Sequence, residues 1–310
     1  MFKFQKIGFL KREAIEPISG WITHIMAPTV RQKPDGDFEI FCGGWDEKRI
    51  SRIYKFDIHV SDKVMYRYGS ANLALDVGAK GCFDDNGVFP AHLSSIKQKN
   101  ILFYSGFQLA NNEINHRCFG GGCLVDSSSR LTRIAESPLL VGSPEGTLVR
   151  AGQSSIFYNR EVYTVYSAGS STCTVGEKKR PVYDIFIQIG VDPLDLNSAG
   201  TRLIRHDPAF EHGLGRPQLL ALKNRLTIFY TRRDLDLNYS FGYAFLSEDK
   251  QSVTKYHPNL DSIDREDGLD DEMIYFPAVA RCKVSNRNFV FYSGNNFGEQ
   301  GMGILELKDV

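Results

Sequence analysis

No sign of charge predominates in this chain of 310 residues. Lys plus Arg and Asp plus Glu each total 37, so the formal net charge at pH 7 is zero. Nucleic acid is therefore not expected as a partner, because its recognition needs a basic surface. Long apolar runs are missing too, and none approaches the length of a membrane span. The opening Met1-Phe2-Lys3-Phe4-Gln5-Lys6-Ile7-Gly8 has neither a long apolar core nor a small-residue cleavage site, which makes the cytoplasm the expected location. None of the 6 cysteines (Cys42, Cys82, Cys118, Cys123, Cys173 and Cys282) belongs to a Cys-x-x-Cys pair. No histidine spacing completes a zinc site, so no metal centre is expected. Cys42 and Cys282 sit in or beside strand-like stretches and read as small buried thiols.

What is present is a repeat. Ile101-Leu102-Phe103-Tyr104-Ser105-Gly106 has counterparts in Ile40-Phe41-Cys42-Gly43-Gly44, Thr164-Val165-Tyr166-Ser167-Ala168, Ile228-Phe229-Tyr230-Thr231-Arg232 and Val290-Phe291-Tyr292-Ser293-Gly294. Phe41, Phe103, Val165, Phe229 and Phe291 recur about every 62 residues. Each copy is apolar, aromatic and β-branched and ends in a small or turn-forming residue, as a buried strand running into a turn does. About a dozen residues upstream of each stands a mark: Pro28, Pro90, Gly152, Pro217 or Pro277. Polar turns such as Lys33-Pro34-Asp35-Gly36-Asp37 and Lys223-Asn224-Arg225 follow the marks, where hairpins need positive φ. Another strand-like stretch lies downstream of each aromatic run, for example Ile185-Phe186-Ile187-Gln188-Ile189. Five units of at least three strands, with room for a fourth, predict an all-β five-bladed β-propeller with about four antiparallel strands per blade. Length alone suggests two domains. A closed ring cannot be cut between blades without exposing apolar faces, so residues 1–310 are expected to form one domain.

In a propeller the segments before each first strand converge on the axial mouth. Five places before the marks stand Thr23, Asp85, Thr147, His212 and Glu272, with Asp84, Glu145, Glu211, Asp270 and Asp271 beside them. Arg216 directly precedes Pro217. Carboxylates, a histidine and an arginine gathered at one mouth make a candidate polar site. The competing readings are turn chemistry at Asp85-Asn86-Gly87 and a satisfied structural network. Trp21-Ile22-Thr23-His24 opens the first unit, and Trp45 precedes its charged loop. Phe107 to His116 is a polar loop, and Gly120-Gly121-Gly122 opens a strand where backbones crowd. Lys178-Lys179-Arg180, in the insertion from Ser170 to Tyr183, is either solvated or meets an acidic ligand. Arg232-Arg233 and Asn295-Asn296 follow strand ends in units rich in aromatics. Amides and guanidinium groups fork hydrogen bonds to hydroxyls and aromatic rings offer a flat apolar face, which together suit a sugar.

Three stretches carry a family resemblance: Phe83-Asp84-Asp85-Asn86-Gly87-Val88-Phe89-Pro90; Arg216-Pro217 with Tyr243-Ala244 and Ser247-Glu248-Asp249; and Asp271-Glu272-Met273-Ile274-Tyr275-Phe276-Pro277 with Phe291-Tyr292-Ser293-Gly294-Asn295. Over nearly its whole length the chain resembles the five-bladed β-propeller glycosidases, as a divergent member. That group is the arabinanase, xylosidase, levansucrase and invertase clan with the related mannoside phosphorylases. The resemblance implies action on a glycosidic bond, by hydrolysis, phosphorolysis or glycosyl transfer, in bacterial glycan metabolism or surface polysaccharide assembly. Clan hydrolases carry an Asp directly before the first unit's proline, where this chain has Ala27. The phosphorylase relatives lack that Asp as well and use an acidic residue at the second unit's rim, where this chain has Asp84 and Asp85.

On that resemblance Asp85 or Asp84 is expected as the base-side group, and Glu272, with Glu145 second, as the partner acid. Arg216, Arg232 and His212 are expected to hold phosphate or a carboxylated sugar. His24, Trp45, Tyr243, Asn295 and Asn296 are expected to contact the sugar. The ligand is a saccharide or sugar phosphate, with phosphate as a candidate co-substrate. No cofactor is required, and a calcium or sodium ion on the axis, if bound, would be structural. The alternative is a lectin-like propeller that binds without turnover, which Ala27 favours. An interaction propeller of the WD or kelch kind is disfavoured by the lack of recurring Trp-Asp signatures.

Overall fold

The computed structural model describes residues 1–15, 23–66, 71–110 and 116–309, with the backbone alone of Tyr66, Asp261 and Asp309. The Trp21-Ile22 start of the first unit and residues 111–115 of the Phe107–His116 loop lie outside the described residues.

The aromatic runs are the second strands of five successive antiparallel units: Phe38–Trp45, Lys99–Leu109, Glu161–Val175, Arg225–Asp234 and Arg287–Ser293. On the axis side each pairs with an inner strand: Thr23–Gln32, Val88–Ile96, Val149–Tyr158, Glu211–Leu222 and Tyr275–Cys282. On the outside each pairs with a third strand: Ser51–Val60, His116–Val125, Lys178–Gly190, Tyr239–Leu246 and Gly301–Asp309. Short strands at Leu131–Arg133, Thr201–Ile204 and Val253–Tyr256 finish units two to four. The first unit divides its outer edge between Val64–Tyr66 and Asn72–Leu75. Each inner strand packs beside the next, and the fifth beside the first, so the inner strands ring an axis. Brief parallel pairings, Val149–Arg150 with Cys118–Phe119 and Tyr183 with Gly213, join units two to four into one 12-stranded sheet.

Phe2–Lys11 is the outer strand of the fifth unit. It runs antiparallel to Gly301–Asp309, from Phe2 opposite Asp309 to Lys11 opposite Gly301. Pairing the two ends of the chain in one sheet covers an edge that would otherwise expose unpaired backbone.

Apolar packing lies in the seams between units. Phe38, Ile40 and Cys42 meet Phe289, Phe291 and Ile304 of the fifth unit. Their neighbour Phe41 points the other way, against Leu102 and Cys123 of the second. Successive side chains of a strand face opposite sides. A strand buried on both faces therefore reads as an unbroken apolar run, which is why the repeat is visible in the sequence.

The upstream mark is a β-bulge on every inner strand. Register shifts between Met26 and Thr29, Pro90 and Leu93, Ala151 and Ser154, Gly215 and Gln218, and Tyr275 and Ala278. Proline has no N–H for the ladder, so it is tolerated where the ladder is already broken. Ala27, Arg216 and Phe276, each before a proline, take positive φ of 48°, 49° and 52°. That conformation costs a non-glycine residue about 1 kcal/mol or more, and an axial hydrogen-bond network holds it.

Arg216 makes that network. Its Nε donates to Pro90 O at 3.1 Å and its Nη1 to Phe276 O and Pro277 O, both at 3.2 Å. Its Nη2 donates to Ala27 O at 3.0 Å, Pro28 O at 2.9 Å and Thr29 Oγ1 at 2.6 Å. Burial pushes its pKa down to about 9, which leaves it charged at neutral pH. The ligand contact expected of Arg216 is corrected here: its donors are all engaged on the axis. The guanidinium lies on the axis among carbonyls of units one, two and five.

Candidate functional site

The mouth lies where inner strands begin, second strands end and third strands begin. Most of its acidic residues turn away from it. Asp84, 1% exposed, accepts from Tyr104 Oη at 3.0 Å and from Arg133 Nε at 3.0 Å. Asp270 accepts from Tyr292 Oη and from Lys6 Nζ, the latter at 2.7 Å. Glu145 accepts from Tyr166 Oη at 3.4 Å and lies 3.3 Å from Arg150 Nε. Glu211 pairs with Arg232 Nε at 2.6 Å. The tyrosine follows the repeating residue of its unit, and in units two, four and five a third-strand glycine makes room for the ring. A Cβ at Gly303 would stand 1.9 Å from Tyr292 Cζ, and Gly121 and Gly242 play the same part for Tyr104 and Tyr230. These groups clamp each entry loop to its own unit. Asp84, Glu145 and Arg232, expected as catalytic or ligand-binding groups, are thus each engaged in an ion pair within the fold.

Asp85 is half-buried and accepts the Gly81 N–H of its own turn at 2.8 Å. Glu272 is exposed, and its backbone N–H donates to Asn295 Oδ1 at 3.0 Å. Asn295 is buried; its Oδ1 also accepts from Met273 N at 2.9 Å, and its Nδ2 donates to Asp271 at 2.7 Å. It ties a loop together and has no group turned to a sugar. Asn296 beside it is exposed at a φ of 48°. Tyr243 lies in the seam between units four and five, stacked on Phe229 at 5.6 Å and Tyr256 at 5.2 Å. Its oxygen accepts from Phe2 N at 3.1 Å. Its expected sugar contact is corrected too.

Aromatic rings reach the mouth instead. His24 and Trp45 have ring centroids 4.6 Å apart, Trp45 and Phe297 5.8 Å, and Phe297 and Tyr239 5.7 Å. Tyr239 and Tyr275 follow at 5.4 Å, and Phe276 packs on Phe89 at 5.3 Å. Trp45 and Phe297 are half-exposed, which leaves them open to a ligand. Burial lowers the His24 pKa, against the pull of Glu299.

Cations lie beside that wall. The Arg233 guanidinium sits 4.9 Å from the Tyr239 ring centroid and 5.5 Å from that of Tyr183. Arg232 and Arg233 are adjacent, so strand alternation sends them to opposite faces, one to Glu211 and one to the mouth. Arg180, on the hairpin of the third unit, faces the same group and bears on His212. That hairpin leans onto the fourth unit because Gly213 leaves space for the Tyr183 ring, which a Cβ would approach to 2.7 Å. His212 is 1% exposed, and its Nδ1 lies 3.4 Å from Pro181 O. A carbonyl only accepts, so Nδ1 carries the hydrogen and Nε2 keeps a lone pair. Burial and the Arg233 charge push the His212 pKa down to about 4. Arg180 Nε, Arg233 Nε and His212 Nε2 are buried atoms without a hydrogen-bond partner. Of the expected polar contacts, His212 stands at the mouth; Arg180, Arg233, Tyr183, Tyr239 and Phe297 join it there, and only strand alternation in the sequence points to Arg233.

An open cleft where units one and two meet is lined by Arg31, Lys33, Glu39, Lys55, Asp57 and Ser129. Arg31 pairs there with Glu39 at 2.9 Å and Lys33 with Asp57 at 2.6 Å, and Lys55 Nζ donates to Ser129 O at 2.9 Å. Among the described residues no group of three or more His, Cys, Asp or Glu is placed to hold a metal ion. No helix among them is long and apolar enough to cross a membrane.

No family model and no curated protein matches the chain in sequence. Solved structures match it in fold. A thermostable family-43 glycoside hydrolase superposes with a TM-score of 0.62 at 16% identity, over 95% of this chain and 91% of that one. An α-L-arabinofuranosidase from Lactobacillus brevis gives 0.64 at 12% identity, over 96% and 94%. A family-32 β-fructofuranosidase from Bombyx mori gives 0.61 at 13% identity, over 96% of this chain and 65% of that one. With its ring of antiparallel units, the chain is a divergent β-propeller with the fold of the family-43 and family-32 glycoside hydrolases.

Proposed function

We propose that the chain is a saccharide-binding propeller, glycoside hydrolase-like in architecture, that holds a sugar at its axial mouth without cleaving it. One observation carries this reading: four carboxylates around the mouth, Asp84, Glu145, Glu211 and Asp270, are diverted to cations. Asp84 and Glu145 are tied to tyrosines and cations, and Ala27, where the hydrolases it resembles carry an Asp, is fully buried. Glycosyl transfer needs one carboxyl group to protonate the leaving oxygen and another to act as base or nucleophile. Asp85 and Glu272 remain, one half-buried and one exposed, on the loops entering units two and five. The wall of His24, Trp45, Phe297 and Tyr239 supplies rings on which the apolar face of a sugar stacks.

The test is calorimetric titration with a panel of mono- and oligosaccharides, alongside an assay of aryl glycosides with and without phosphate. The same measurements are made on Asp85→Asn and Glu272→Gln. Binding that survives both substitutions, with no turnover above the blank, is the expected result. Turnover that disappears in either variant would restore the glycosyl-transfer reading.

A further inference from the structure

We propose that Arg180, Arg233 and His212 form an anion-recognition subsite at the mouth, which takes the carboxylate or phosphate group of an acidic saccharide. The proposal rests on the saccharide-binding reading and narrows its ligand.

Arg233 is the cation that breaks the rule of this fold. Around the same end of the ring, Arg133 pairs with Asp84, Arg150 with Glu145, Arg232 with Glu211, Arg52 with Asp46 and Lys6 with Asp270. Among the described residues Arg233 has two tyrosine rings and no carboxylate, and its buried Nε has no partner. Removing a guanidinium from water without a counter-charge is costly, and ring faces offset part of that cost. Arg180 brings a second guanidinium from the neighbouring unit, its Nε also buried and unpartnered. Two forks of N–H donors from separate units, both bearing on His212, match the oxygens of a carboxylate or phosphate. The lone pair on His212 Nε2 accepts a hydrogen, which an adjacent sugar hydroxyl supplies. A bare inorganic anion satisfies the two arginines; an acidic sugar satisfies all three groups. Arg233 also stacks on Tyr239, the first ring of the aromatic wall, so a sugar anchored by its charge lies along Phe297 and Trp45.

The experiment is calorimetric titration of the full chain with glucuronate, glucose 1-phosphate, glucose and inorganic phosphate, repeated on Arg233→Gln and Arg180→Gln. At least one acidic sugar is expected to bind about tenfold or more tighter than glucose, with that preference lost in either variant. Glucuronate against glucose 1-phosphate separates carboxylate from phosphate recognition. Equal affinity for glucose and both acidic sugars, or a preference that survives both substitutions, overturns the subsite and leaves the saccharide reading standing. Binding of inorganic phosphate as tight as that of the acidic sugars, lost in the variants, upholds the subsite and removes the saccharide reading. No binding by any of the four removes both. Arg180 lies on a projecting hairpin, so its variant decides the matter if Arg233→Gln fails to fold.

Discussion

Arg216 on the fourth unit donates through Nη2 to Thr29 Oγ1 on the first at 2.6 Å, across the axis. With its bonds to carbonyls of units one, two and five, this side chain laces most of the ring together. Arg216→Met leaves those carbonyls without a donor and is expected to cost about 3–5 kcal/mol. Arg216→Lys, with three N–H groups in place of five, is expected to recover part of it. Denaturant midpoints of the two variants check the order. Because the cation is built into the chain, a chelator is expected to leave the wild-type melting temperature unchanged; a drop on chelation would place a metal in the ring after all.

The two adjacent aspartates of the second unit have separate fates. Asp84→Asn strips Arg133 of its buried partner, and a loss of about 3 kcal/mol is expected. Asp85→Asn changes a half-exposed turn acceptor and is expected to stay within about 0.5 kcal/mol of wild type. Urea unfolding of both variants reads the contrast, and equal losses would reverse the assignment.

Gly303 lies beneath the Tyr292 ring, where a methyl group has no room. Gly303→Ala is expected to destabilise by about 2 kcal/mol through overpacking. Gly190, with nothing within 4 Å of its would-be Cβ, serves as the control, and Gly190→Ala is expected to be near neutral. Thermal melts compare the two.

His212 gives a pH dependence with a definite sign. Its folded pKa of about 4, set by burial and by Arg233, lies below the ordinary value of 6.5. Between those values the unfolded chain binds the extra proton, so stability rises with pH through this window and is fully present above it. Acidifying from pH 7 to pH 4 is expected to remove about 1–2 kcal/mol on this account, after screening by solvent at the mouth. His212→Gln is expected to flatten that part of the curve, as read from denaturant midpoints at several pH values.

The repeat of Phe41, Phe103, Val165, Phe229 and Phe291, and the marks at Pro28, Pro90, Gly152, Pro217 and Pro277, were enough to place the second strands and the all-β propeller; that the marks are bulges came from the register. They could do so because a strand buried on both faces must be apolar throughout, and because proline tolerates only a broken ladder. The fourth strand of the last unit escaped, since Phe2–Lys11 pairs with the opposite end of the chain and local pattern carries no trace of that. At the mouth the residue types were legible and their directions were not. Asp84 and Asp85, or Arg232 and Arg233, are neighbours of one chemistry, and which of each pair meets a partner depends on where Arg133 and Glu211 arrive from elsewhere in the chain. Composition and period therefore determined the propeller. Only the closed ring decided that Arg216 fills the axis, that most of the acids serve as clamps, and that Arg233 is left facing the mouth, because those outcomes depend on contacts between units that no local stretch encodes.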